Sequence, residues 1–261
     1  MGDLYEVLEL IGEGNFARVH RGRRRYTGQS CALKFLKKQG KAPEELAAIR
    51  SELSILSRLH HPNIVALLDT YETESDLVLV TELAVGELFE VLTSDGALPA
   101  AVVGSVARDL VGALAYLHAS KVMHRDLKPQ NCLITSAGVI KLCDFGFARD
   151  LGSRTSVLLT SLKGTPLYMA PEIFLTKKYL PSADVWGLGV LLFELASGRP
   201  PFYADTLPDL MQAIVDDSPI AYPEAMDPGL RAFLQDCLVR DPTQRATWDR
   251  LQAHPFLSLP P

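Results

Sequence analysis

Hydrophobic positions divide the chain into two textures. Up to about residue 82 they fall in short β-branched and aliphatic runs, Tyr5 to Ile11, Ala17 to Tyr26, Cys31 to Lys37 and Leu77 to Glu82, and such runs predict strands. After Pro43, Leu46, Ile49, Leu53 and Leu56 recur at steps of three, four and three, which predicts one amphipathic helix closed off by Pro62. From Leu98 the spacing turns helical. Val103, Val106, Leu110, Leu114 and Leu117 mark a long helix, with Pro99 near its start, where first-turn prolines sit. Two brief apolar runs follow, Cys132 to Thr135 and Val139 to Cys143, parted by Ser136-Ala137-Gly138, the pattern of a hairpin. Beyond Glu172 the chain reads as helix over Ser182 to Ser197, Leu207 to Asp216, Pro228 to Val239 and Trp248 to His254. A β-rich part followed by an α-rich part, without repeats or a Ser/Gly-rich linker, predicts an α+β protein of two lobes hinged near Glu82 to Gly86.

Composition narrows the class. A length of 261 residues fits one or two domains, and 48% hydrophobic content supports a packed globule rather than a disordered chain. With 26 basic against 31 acidic residues, net −5, general affinity for nucleic acid or anionic membrane is not expected. The apolar run Val185 to Phe193 stops at Glu194, so no membrane span is expected. The N-terminal stretch MGDLYEVLE lacks a basic region, and Glu6 stands where a myristoylation signal has Ser or Thr. Cys31, Cys132, Cys143 and Cys237 form no CxxC pair, which predicts reduced thiols and a cytoplasmic setting.

The first chemistry-bearing motif is Gly12-Glu13-Gly14-Asn15-Phe16-Ala17, set between two predicted strands. Glycines let the backbone approach phosphate oxygens closely. A dinucleotide-binding turn would need a helix next and an acid about 20 residues on; here a strand follows, and Lys34 stands at that distance from Gly14. Strand alternation puts Ala32 and Lys34 on one face, and Leu33 and Phe35 on the other. A small residue beside a lysine suits a flat ring next to its phosphate tail, while a lone lysine is more often a snorkelling surface group. Glu52 shares the apolar side of its helix, where a carboxylate is costly unless paired, and Lys34 is a candidate partner. His124 to Asn131 precedes the hairpin and Asp144-Phe145-Gly146 follows it, so the hairpin returns Asn131 and Asp144 to one site. Their amide and carboxylate oxygens suit Mg²⁺ with bound phosphates. Asp126 then lies near as an acceptor for a hydroxyl proton, with Lys128 adding positive charge.

Taken in order, the glycine loop, Ala32-Leu33-Lys34, Glu52, HRDLKPQN, DFG and Ala170-Pro171-Glu172 resemble a eukaryotic protein kinase over nearly the whole chain. Lys128 matches the serine/threonine type, and GELF, KLCDFGFAR and SLKGTPLYMAPE resemble Fused-type kinases. The resemblance implies the bilobal protein kinase fold over residues 5–256, with an N-lobe at 5–82, a hinge at 82–86 and a C-lobe at 87–256. ATP and Mg²⁺ are the implied cofactors. Ile11, Gly12, Gly14 and Val19 would cover ATP, and Val19, Ala32 and Leu133 would sandwich adenine. Lys34, held by Glu52, would bind phosphates. Glu82 and Ala84 would face adenine through backbone groups, behind a small gatekeeper at Thr81. Asn131 and Asp144 would hold Mg²⁺, and Asp126 would accept the substrate proton near Lys128. Thr165 would contact Asp126 and Lys128, Glu172 would pair with Arg245, and Asp184 would brace the catalytic loop.

Two departures matter. Ala17 replaces the third glycine, and Gln130 stands where basophilic kinases place a glutamate. Glu87 is retained, so a modest preference for a basic residue three positions before the phosphorylated one is expected. Arg125 beside the catalytic aspartate calls for an anion on the activation segment, which points to phosphate on Ser161 or Thr160, added by an upstream kinase or by autophosphorylation. Partners are expected to be protein substrates of a monomeric domain; the alternative is a pseudokinase-like scaffold that binds nucleotide and partners with little transfer. The Fused-type resemblance further suggests signalling tied to cilia, hedgehog-type pathways or cytokinesis. Such kinases usually continue into a regulatory region, so the chain is expected to be a catalytic unit alone, by lineage or by truncation. The arginines around Gly22 and the His60-His61 pair are read as a solvated face and a loop, and Pro200-Pro201-Phe202 as a loop packed on its lobe.

Overall fold

In the computed structural model, which describes residues 4–13, 17–145, 149–150 and 166–258, the β-branched runs pair into one antiparallel sheet. Strands β1 (Tyr5–Glu13), β2 (Ala17–Arg24) and β3 (Ser30–Lys37) are followed by helix α1 (Pro43–Leu56), then by β4 (Leu67–Glu72) and β5 (Asp76–Glu82). The strand order is β1-β2-β3-β5-β4. Alternation sorts the side chains as expected: Cys31, Leu33, Val78 and Val80 pack with Tyr5 and Tyr71 on one face. Leu36, Leu77 and Leu79 gather on the other, against Ile49 and Leu53 of α1. The Tyr5 hydroxyl donates to Asp69 Oδ2 at 3.0 Å and its ring stacks on Tyr71, so the two edge strands meet. Strand β4 escaped the sequence pattern because, of its six residues, only Tyr71 is buried.

The C-terminal part opens with β6 (Gly86–Glu87) and α2 (Leu88–Asp95). Glu87 and Glu90 cap this helix reciprocally and Gly96, at φ 71°, ends it. Helix α3 (Ala100–Ala119) starts after Pro99 and buries the stripe Val103, Val106, Leu110, Leu114 and Leu117. It is long and apolar enough to cross a membrane by length and composition, but the stripe is the centre of the lobe's core. After β7 (Val122–Met123) comes the hairpin β8 (Cys132–Ile134) and β9 (Ile140–Leu142), turned by Gly138 at φ 75°, and then β10 (Arg149–Asp150), which pairs with β7. Helices α4 (Pro171–Thr176), α5 (Ala183–Ser197), α6 (Leu207–Val215), α7 (Pro228–Cys237) and α8 (Trp248–Gln252) complete the lobe.

Helix α5 is buried on nearly every side from Ala183 to Leu195, as an apolar run without a polar face requires. Its glycines admit two neighbours: a Cβ on Gly187 would lie 3.3 Å from Leu127 Cβ, and one on Gly189 would lie 2.7 Å from Cys237 Cβ. Phe202 is buried and stacks on Trp186, so the Pro200-Pro201-Phe202 loop packs on its lobe. Arg21 and Arg23 pair with Glu9 and Glu6 across β1 and β2. The fold is therefore the expected bilobal α+β architecture.

Candidate active site

Residues 124–131, between β7 and β8, are held from below by α5. Asp184, 2% exposed, accepts the backbone N–H groups of His124 and Arg125 at 2.9 Å each, and His118 Nε2 lies 3.2 Å from its Oδ2. Burial opposes the charge of Asp184, but hydrogen bonds from His118 and Arg125 and the nearness of His124 outweigh it, so its carboxyl is held below the usual range. Arg125 adopts φ 72°, a left-handed conformation that costs about 1–3 kcal/mol in a non-glycine residue. The Tyr179 hydroxyl donates to the Arg125 carbonyl at 2.8 Å, and the guanidinium lies 4.6 Å above the Tyr179 ring. His124 is fully buried; its Nε2 lies 3.0 Å from the Cys143 carbonyl, and its ring meets Phe145 edge-on. The segment carrying Asp126 is thereby fastened to the one carrying Asp144.

Asp126 is 4% exposed. Its Oδ2 accepts from Lys128 Nζ at 2.7 Å and from Asn131 Nδ2 at 3.0 Å, while Oδ1 is buried and has no hydrogen-bond partner among the described residues. Asn131 Nδ2 also donates to the Asp126 carbonyl at 2.7 Å, which leaves the amide oxygen as the atom it could offer a cation. The Cys143 N–H donates to the Asn131 carbonyl at 2.9 Å, so the next residue, Asp144, returns beside Asn131. Asp144 sits at φ 60° with a 44% exposed side chain, and its Oδ1 lies 3.6 Å from Lys34 Nζ. A carboxylate and an amide oxygen beside an orphaned buried acceptor form a hard-oxygen donor set that fits Mg²⁺. Burial and the adjacent Asp144 push the Cys143 thiol up to about 12, so this half-buried cysteine is a packing residue.

The cleft above is assembled by strand register. Gly12 lies opposite Val19, Val19 opposite Lys34, and Ala32 opposite Thr81. Leu133 lies half-buried in β8, and Ile11 is exposed near the end of β1. Glu82 and Ala84 lie in the connection between the lobes, and Glu87 follows at the cap of α2. Burial, aided by Glu90, raises the Glu87 carboxyl. Gly14, Thr160, Ser161, Thr165 and the side chain of Glu52 lie outside the described residues. On the opposite flank, Arg245 donates to both oxygens of Glu172 at 2.8 and 2.9 Å, with both side chains buried. His118, Tyr179, Glu194 (which accepts from the Tyr168 hydroxyl at 2.5 Å) and Lys141 were not singled out by sequence. Only His118 carried a signal, standing four residues after Leu114 on the apolar stripe of α3.

The fold and this arrangement define the class: a model of the protein kinase domain matches residues 5–257, and the chain belongs to that family. It is 49% identical over 253 residues to the serine/threonine-protein kinase TIO of Arabidopsis thaliana, covering 97% of this chain and 19% of that protein. To serine/threonine-protein kinase 36 of Pongo abelii it is 49% identical over 254 residues, with the same coverages. To serine/threonine-protein kinase fused of Drosophila melanogaster it is 40% identical over 253 residues, 97% of this chain and 31% of that protein. The chain thus spans less than a third of these relatives' lengths, and the similarity is to serine/threonine kinases of Fused type.

Proposed function

We propose that this chain is a serine/threonine protein kinase that transfers the γ-phosphate of ATP to protein hydroxyls. The observation that carries the reading is the Asp126 carboxylate, with one oxygen held by Lys128 and Asn131 and the other buried without a partner among the described residues. A buried acceptor left open is costly, and a substrate hydroxyl would satisfy it. Asp126 would orient that hydroxyl in line with the γ-phosphate and take its proton; in a loose transition state the orientation matters more than the proton affinity. Lys128 would stay on Oδ2 and add positive charge where phosphoryl charge moves. Asn131 and Asp144 would hold Mg²⁺, which neutralises charge on the phosphates. Lys34, positioned by Glu52, would bind the phosphate tail under a loop that includes Ile11, Gly12, Gly14 and Val19. Ala32, Thr81, Glu82, Ala84 and Leu133 would surround adenine. Thr165 and Glu87 would face the peptide, and a phosphate on Ser161 or Thr160 would meet Arg125.

The kinship with fused, kinase 36 and TIO proteins supports a Fused-type role in signalling linked to cilia, hedgehog-type pathways or cytokinesis. Transfer of labelled γ-phosphate tests the activity: labelled serine and threonine in the product, loss of label with Asp144→Ala, and lower activity of cell-derived enzyme with alanine at Thr160 and Ser161 are expected. Wild-type protein that binds ATP yet transfers none would favour a scaffold instead.

A further inference from the structure

At the hinge a carboxylate from one lobe meets an ammonium from the other. Glu82 ends β5, and its Oε1 accepts from the Ala66 N–H at 2.7 Å and lies 2.9 Å from Lys141 Nζ in β9. The two side chains are 28% and 16% exposed, so water only partly screens the pair. Glu82 and Ala66 are bonded a second time, Glu82 N–H to Ala66 O at 3.1 Å. The segment before Ala66 is itself laid along β9: Val65 N–H donates to Leu142 O, Leu142 N–H to Asn63 O, and Asn63 Nδ2 to Ile140 O. At the far end of the hinge Val85 N–H donates to Ile134 O at 2.8 Å. Between these anchors, Leu83 and Ala84 enter no backbone hydrogen bond of the loops among the described residues. Lys141 lies directly opposite Leu133 in the β8–β9 ladder, and opposed residues of an antiparallel pair share a face. One lysine therefore connects the lower surface of the cleft to the wall that carries the hinge backbone.

We propose that Lys141 is a positioning residue for the nucleotide: through Glu82 it fixes the hinge backbone at the height above Leu133 at which the adenine ring binds. This rests on the reading of the cleft as an ATP site. Lys141 touches no nucleotide itself. The Glu82–Ala66 backbone bond and the Val65–Leu142 and Leu142–Asn63 bonds already hold the fold locally, so the charged tie acts mainly on the relative placement of hinge and cleft floor. A charge-assisted bond of this kind is about twice as strong as a neutral one.

Lys141→Met keeps the aliphatic stem and removes the tie. The Michaelis constant for ATP and the directly measured ATP dissociation constant are expected to rise about 3- to 10-fold, with the Michaelis constant for a peptide substrate unchanged. Lys141→Arg, which keeps the charge and reach, is expected to restore most of the ATP affinity. A merely structural role would instead lower the thermal midpoint and leave ATP affinity of the folded fraction alone. ATP constants in folded Lys141→Met equal to wild type, or Lys141→Arg as impaired as Lys141→Met, would overturn the proposal. If Lys141→Met does not fold, Glu82→Gln, which keeps an acceptor for Ala66 N–H and removes the ion pair, carries the same expectation and the same contrary outcome. Wild type that binds ATP without transferring phosphate would defeat the kinase reading, while the dissociation constants would still decide the role of Lys141.

Discussion

Arg125 and Asp144 both hold left-handed backbone conformations without being glycine, Arg125 next to Asp126 in the chain and Asp144 at 3.6 Å from Lys34. Such strain persists only when neighbours over-determine it, and at Arg125 the neighbour is Asp184. The buried Asp184 carboxylate makes a stability contribution with a definite sign. Because its carboxyl is held below the ordinary value of 3.8, the contribution is fully present above that value and is lost as pH falls through the lowered one. Asp184→Asn removes it, so chemical unfolding should show a stability gap between wild type and variant that narrows as pH drops below about 4. A gap that stays constant or widens would contradict the account. At this scale the sequence was informative in bringing Asp126, Asn131 and Asp144 together around the β8–β9 hairpin. It was silent at Tyr179 and Glu194, whose partners Arg125 and Tyr168 lie 54 and 26 residues away, because no local pattern encodes so distant a hydrogen bond.

The helices and strands show the same division. Helix α3 and strand β3 were legible because the apolar period reports a buried side directly, and β5 because burial on both faces leaves a continuous apolar run. Strand β4 and helix α2 were not: the first buries one residue and the second only Leu88 and Leu92. The end of α1 was also misjudged, since the helix stops at Leu56 and not at Pro62. Packing between elements leaves its trace in glycines, and these make a contrasting pair. A Cβ at Gly189 would lie 2.7 Å from Cys237 Cβ and 2.8 Å from Leu238 Cδ2, whereas one at Gly112 in α3 would sit 3.5 Å from the His61 ring. Gly189→Ala is expected to destabilise by about 1–3 kcal/mol through overpacking, which exceeds the roughly 1 kcal/mol of helix propensity gained. Gly112→Ala, with room for its methyl, should be neutral or stabilising by up to about 1 kcal/mol. Thermal unfolding of the two variants checks this; an equal or stronger Gly189→Ala protein would mean that α5 and α7 approach less closely.

At the scale of the whole molecule the proposed site lies where the two lobes meet. The N-lobe contributes Lys34 and the hinge, the C-lobe contributes Asp126, Asn131 and Asp144, and the Lys34–Asp144 approach spans the gap. The order of motifs made this two-lobe plan readable, because the β-rich and α-rich halves each carry a different set of them. The tie between Glu82 and Lys141 was not readable, since it depends on how the lobes are set against each other. The buried Glu172–Arg245 pair ties α4 to the segment before α8, and removing one partner of such a pair costs about 3–5 kcal/mol. The central claim is that the open Asp126 oxygen receives a substrate hydroxyl, and the most direct measurement is the turnover of Asp126→Asn against wild type with ATP and a protein substrate. The account predicts a kcat lower by about 10²- to 10⁴-fold, with ATP affinity retained. Turnover by Asp126→Asn equal to wild type, or an inert wild type under conditions in which ATP binds, would contradict it.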